Sequence, residues 1–370
     1  MTVVRRLFGT LLLTGTLSAS SLFALSPYGR VAAELPALAA AVETALARPI
    51  QTVVEKPAGS PSADPHDYVS YARYYWPNPD TPDGQPYVSR DGYHNHPQVA
   101  RGDHARLWEF CATVEQLAAA WSVDHNEAAA QRAVAWMRAW FITPATKMNP
   151  NLEYAQVRLG RNHNLGSEFG VLDARCFAQV IDALRLLHGS PALSATDEAG
   201  IRAWFTTYLH WLETAPNAIA ERANLNNHGT WYLAQVIPIA LYLGRDDLAR
   251  ELSEEEKTRI AREIEPDGSQ PNEIRRVDGL GYSKFNLEAH ASVARQAANV
   301  GLNLWNFTAE NGASLHRALE FLQPYNVAPK SWPQGQHEDL QPGFLDPLLA
   351  EPGIVAAKLA ANATPGTSGG

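Results

Sequence analysis

Asn226, Asn227 and His228 open the run NNHGTWYLAQVIPIALYLG, and their amide and imidazole groups can grip an anion or move a proton. Asparagine is a good helix N-cap. The apolar residues Trp231, Leu233, Ala234, Val236, Ile237, Ala240, Leu241 and Leu243 recur behind it, and Gly244 suits a C-cap. The pattern predicts a helix with Asn227 and His228 at its N-terminus, where free backbone N–H groups and the helix dipole favour a carboxylate. The plainer alternative is that Asn226 only caps the helix and His228 packs inside.

Three further stretches concentrate polar chemistry. Residues 266–290, PDGSQPNEIRRVDGLGYSKFNLEAH, bring Arg275, Arg276, Tyr282, Lys284 and His290 into a turn-rich segment and the helix after it. Arginine holds a carboxylate bidentately, and a tyrosine passes a proton. Residues 150–170 interrupt the helical rhythm with Gln156, Arg158, Arg161, Asn162, His163 and Asn164, a polar loop of the kind that carries function or simply connects. Residues 66–77, HDYVSYARYYWP, read as a rigid loop because Pro77, Pro79, Pro82 and Pro86 follow. There Tyr68, Tyr74, Tyr75 and Trp76 are candidates to stack on sugar rings, or else to plug the end of a helical barrel, and Trp332 in KSWPQGQ adds a late aromatic. His94 and His96 look like a metal pair, but nothing nearby completes a ligand set and no CxxC or HExxH spacing occurs, so neither metal nor cofactor is expected.

The elements that must position these groups are helical. Apolar periodicity marks helices over 30–47, 107–121, 127–141, 171–187, 196–213, 230–243, 246–264, 284–302, 313–322 and 345–361, with strand-like alternation scarce. The fold class expected is all-α, a single domain of packed antiparallel helical hairpins over residues 25–361. Before it, residues 1–24 carry Arg5 and Arg6, an apolar run and small residues near a plausible cut, an export signal that places the mature chain in the periplasm or outside the cell. Arg5-Arg6 hints at a twin-arginine route, with an ordinary secretory signal as the alternative. No stretch is long and apolar enough for a membrane span in the mature chain, and residues 362–370 form a tail. Cys111 and Cys176 either pair or stay as buried thiols. The net charge of −9 argues against nucleic acid and requires that any anionic substrate meet locally concentrated positive charge, for which Arg275 and Arg276 are candidates.

Taken together, NNHGTWYLAQ, GSQPNEIRR followed by Tyr282, and HDYVSYARYYWPNPDTPDG resemble the alginate lyase family of polysaccharide lyases, over roughly residues 64–340. The resemblance implies an (α/α) toroid or incomplete barrel, an anionic uronate polysaccharide as partner, and β-elimination. In such a reaction the proton on C5 leaves and the 4-linked oxygen is expelled. The C5 proton becomes acidic only when the neighbouring carboxylate is neutralised, which stabilises an enolate-like transition state. By this resemblance Asn227 and His228 neutralise the carboxylate and Tyr282 transfers protons, with His228 as base if the C5 proton lies on the opposite face. Arg276 is the first choice to assist Tyr282 and Arg275 the second. After Tyr282 the sequence Ser283-Lys284-Phe285-Asn286-Leu287 replaces a second histidine-containing segment of the mannuronate lyases. It looks closer to a branch acting on several alginate blocks or on glucuronan, which leaves mannuronate, guluronate and glucuronate open. Two other classes stand beside this reading: a helical-toroid hydrolase, which needs paired carboxylates from among Glu168, Asp173, Asp267 and Glu273, and a non-catalytic uronate-polysaccharide-binding protein.

Overall fold

The computed structural model describes residues 35–57 and 59–351. The expected export signal, the tail and most of the expected last helix lie outside the described residues; of that helix only a short turn, Asp346–Leu349, is seen.

Ten α-helices of eight residues or more carry the described chain. They are α1 Leu35–Ala47, α2 His104–Asp124, α3 Glu127–Met137, α4 Phe177–Leu186, α5 Ala195–Thr214, α6 Pro216–Ala223, α7 Asn227–Tyr242, α8 Asp246–Glu263, α9 Gly279–Ala297 and α10 Leu315–Val327. Local chemistry sets their starts. Asn126 caps α3 by accepting from the Ala129 N–H, and Ser194 and Asp197 form a reciprocal capping box on α5. Pro216 begins α6, where its missing N–H leaves no lost bond. Helix α6 was not expected from the apolar pattern, and it supplies a residue of the site.

Helix α7 is the centre of the fold. It packs on α8 and α9, and it is buried nearly all round, from Asn227 to Ala240. On the other side α2 packs against α1, α3 and α4. One continuous apolar core runs from Val42 to Leu348. Its densest part is aromatic: Phe110 stacks on Trp140 with centroids 4.6 Å apart, and Phe141, Phe177, Trp204, Phe205 and Tyr208 continue the cluster. Cys111 and Cys176 are buried there as free thiols.

Helix α9 starts at Gly279, five residues before the apolar pattern suggested, because Gly279 and Gly281 hid the first turn. This places Tyr282 on a helix rather than in a loop. The aromatic stretch 66–77, expected as a loop, contains strands instead. β1 (Val69–Tyr71) pairs in parallel, through an irregular register, with β4 (Tyr154–Val157), and β2 (Tyr75–Trp76) pairs antiparallel with β3 (Val88–Ser89). Of these strands, β2 carries Tyr75 to the site.

Candidate active site

The N-terminus of α7 holds a carboxyl group, but an internal one. Asn226 accepts the His228 N–H through its side chain at 3.0 Å, as a cap should. The next residue faces inward: the Asn227 N–H donates to Glu273 Oε1 at 2.7 Å and its Nδ2 to Glu273 Oε2 at 2.8 Å. Asn227 is only 1% exposed, so the amide expected to meet a substrate carboxylate is closed off by Glu273. Burial raises the Glu273 carboxyl above its usual range, and the Asn227 bonds pull it back down.

His228 points elsewhere. Its Nδ1 lies 2.8 Å from Oε1 of Glu221, a fully buried carboxyl of α6 that burial pushes up and His228 pulls down. In the tautomer whose Nδ1–H donates to Glu221, Nε2 keeps a lone pair and can take a proton. The glycine after His228 is dictated by the same corner. Arg259 of α8 donates to the Asn224 and Arg222 carbonyls, tying down the turn that delivers His228, and a Cβ on residue 229 would overlap the Arg259 guanidinium and the Asn224 carbonyl.

The second half of the site is built on the first turn of α9. The Tyr282 hydroxyl lies 2.7 Å from the Tyr74 hydroxyl and accepts from Arg276 Nη2 at 2.9 Å, while the Arg276 guanidinium stacks 3.9 Å over the Tyr282 ring. Arg276 is in turn held by a two-point bond to Asp91, Nε to Oδ2 at 3.0 Å and Nη2 to Oδ1 at 2.6 Å. That bond keeps the Asp91 carboxyl below its usual range. An arginine beside a tyrosine favours the phenolate. The balance runs the other way: burial, reinforced by Tyr74, pushes the phenol well above the ordinary tyrosine value, and Arg276 opposes this only in part. Tyr282 is a protonated acid at neutral pH. His94 closes the group edge-on to Tyr74 at 5.0 Å.

Arg158 of the 150–170 loop joins the two halves. Its guanidinium lies over Tyr75 at 5.7 Å and over Phe169 at 5.9 Å, and Phe169 packs on His228 at 4.8 Å. A rim of Tyr74, Tyr75, Arg158, Phe169 and His228 results.

Several expected contact residues face away. Tyr68 is fully buried, its hydroxyl bonded to Asp173, and its ring fills the core rather than offering a face to sugar. Gln156 is tied inward to the same carboxylate through Nε2, at 2.8 Å. Trp332 is 7% exposed and packs edge-on to Tyr325 and Phe321, a core role. Arg161 is exposed and donates to the Tyr87 carbonyl, and exposed His163 sits in a left-handed turn with Asn162 and Asn164. Arg275 turns from Tyr282 and donates to Asn272. Trp76 stays at the margin, with Arg90 over its ring. Asp91, Glu221, Glu273 and His94 were missed as site residues. Of these, the sequence offered Glu273 only as a possible hydrolase carboxylate and His94 only as half of a metal-like pair.

The carboxylates that hydrolysis would need are dispersed. Asp173 is buried among Tyr68, Ser70 and Gln156, Glu273 is bound to Asn227, Glu168 pairs with Arg158 at 3.5 Å, and Asp267 closes an exposed turn with Ser269. Among the described residues no three His, Cys, Asp or Glu side chains converge as a metal site, and no helix is long and apolar enough to cross a membrane.

Comparison with known proteins agrees with the helical architecture. A family model described as alginate lyase matches residues 52–332. Among solved structures, an alginate lyase from Bacteroides ovatus is similar at 35% identity and a TM-score of 0.80, with 86% of each chain covered. More distant is alginate lyase A1-III from Sphingomonas species A1, at 14% identity, a TM-score of 0.52 and 90% of each chain covered. A variant of A1-III complexed with a tetrasaccharide is similar at 17% identity and a TM-score of 0.53, with 84% of each chain covered; at these identities the likeness is one of fold, the α/α toroid. No curated protein matches the chain.

Proposed function

The chain belongs to the alginate lyase family and is a polysaccharide lyase, and from that premise we propose that it cleaves a 1,4-linked uronate polymer, alginate or glucuronan, by β-elimination outside the cytoplasm. The observation that carries the assignment of roles is the array Asp91–Arg276–Tyr282–Tyr74, in which a phenol kept protonated sits between a fixed guanidinium and a second hydroxyl. A phenol in that state donates a proton, and the leaving 4-linked oxygen needs one. Arg276 uses Nε and Nη2 on Asp91 and Tyr282, which leaves the Nη1 pair for the substrate carboxylate, where charge develops. His228, with Nδ1 on Glu221 and Nε2 open, is the base for the C5 proton.

This division differs from the expected one, in which Asn227 and His228 together neutralised the carboxylate. The geometry supports a supporting role for Asn227: it holds Glu273 and so fixes the 271–274 turn that leads to Arg276. Tyr74, Tyr75 and Arg158 are proposed to line the sugar-binding rim.

The test is to incubate the protein with polymannuronate, polyguluronate and glucuronan separately and analyse the products. A C4–C5 unsaturated uronate at the new non-reducing end from any of them supports the reading and names the substrate. New reducing ends without unsaturation from all three would replace elimination by hydrolysis, and binding without cleavage would leave only a binding protein.

A further inference from the structure

Beside the site, on the other side of Arg276, lies a pocket of about 630 Å³, within the range of small-molecule sites. One wall is the 269–277 segment and the other is the strap 334–337. The strap is fastened: Asp278 Oδ1 accepts the His337 N–H at 2.6 Å and the Glu338 N–H at 2.8 Å, and Gln336 Oε1 accepts the Leu280 N–H at 3.2 Å. Pro271, Ile274 and Val277 give the pocket an apolar side, while Arg275, Gln334 and His337 give it donors.

Among the described residues its lining includes neither Asp nor Glu, and Asp278, which fastens the strap, is not part of it. Arg275 is exposed and its bonded partner is Asn272, a neutral group that is itself fixed on the Leu225 carbonyl. The guanidinium is therefore oriented without being neutralised. Exposed Tyr93 meets the His337 ring edge-on at 5.1 Å and extends an aromatic surface beyond the pocket. In a chain of net charge −9, an oriented cation without an acidic partner, beside an apolar wall, is a fit for an anionic sugar.

We propose that this pocket is a second uronate-binding subsite, in which Arg275 and His337 hold the carboxylate of a unit some distance along the same polymer from the cleaved bond. The inference rests on the proposed uronate substrate. Arg276 belongs to both the Tyr282 array and the pocket wall, so the pocket adjoins the proposed cleft at that residue.

The test measures KM and kcat on a length series of uronate oligomers and on the polymer, for the wild type, Arg275→Ala, Arg275→Glu and His337→Ala. The ratio of variant to wild-type KM is expected to grow with chain length, reaching roughly three- to tenfold on the polymer for Arg275→Ala and more for Arg275→Glu, as for a partly exposed charge-assisted bond. A ratio near one at all lengths, the same ratio at all lengths, or equal effects of alanine and glutamate would overturn the subsite. Wild-type protein that forms no unsaturated product at any length would instead overturn the uronate lyase reading itself.

Discussion

Replacing Asp91 by Asn removes the carboxylate that fixes Arg276 against Tyr282. The pair has two contacts, at 2.6 and 3.0 Å, and its side chains are 38% and 25% exposed for Asp91 and Arg276. It lies between an exposed ion pair, worth about 0.2–1 kcal/mol, and a hydrogen bond to a charged group, worth about 1.5–3 kcal/mol. A loss of about 1–2 kcal/mol in the transition state is therefore expected, a fall in kcat of roughly five- to thirtyfold. The assay is steady-state formation of the unsaturated product, with thermal unfolding as control. A purely structural role would not move the pH profile, but this one does. Burial first, then Tyr74, hold the Tyr282 phenol up, and the Asp91 charge adds to them, so the variant's alkaline limb moves to lower pH. Asp91→Glu, which keeps the charge, recovers part of the rate. Wild-type kcat in Asp91→Asn, with an unmoved pH profile, would refute the view that Asp91 works through Arg276.

Three other expectations follow from the same geometry. Glu221→Gln leaves an acceptor for His228 Nδ1 but removes its charge; exchanging a charge-assisted bond for a neutral one predicts a fall in kcat of about tenfold, read by the same assay, and unchanged kcat would remove Glu221 from the account. Because Tyr282 is the acid and its pKa is raised, the active protonated form persists as pH rises, so the alkaline limb of kcat in the wild type should lie above the ordinary tyrosine value of about 10; a limb below it would contradict the acid role. Gly229→Ala forces a methyl against Arg259 and the Asn224 carbonyl, with a stability loss of about 1–3 kcal/mol measurable by denaturant unfolding, and a drop in kcat as His228 shifts.

The helical architecture was legible because its signals are local. Apolar periodicity marked the long helices, and Asn226 marked the start of α7 by its capping chemistry. What escaped was set by contacts distant in sequence. Asp91 meets Arg276 across 185 positions and Tyr74 meets Tyr282 across 208, distances at which no spacing rule applies. Glu221 was hidden because α6 is short and weakly apolar. Tyr68 and Trp332 were read as sugar platforms because an aromatic residue near prolines looks the same in sequence whether its ring faces solvent or, as here, the core. The helix N-terminus was read as open to substrate for a related reason: the sequence shows the donors of Asn227 but not that Glu273 arrives to accept from them.

The most direct test of the account is ultraviolet absorbance from the C4–C5 double bond, followed for the wild type and for Tyr282→Phe on alginate and glucuronan. Absorbance is expected to rise for the wild type on at least one polymer, and Tyr282→Phe, folded and still binding that polymer, is expected to form the chromophore at least a hundredfold more slowly, the lower end of the range for a lost general acid, about 10²–10⁴. Elimination by Tyr282→Phe at the wild-type rate would contradict it.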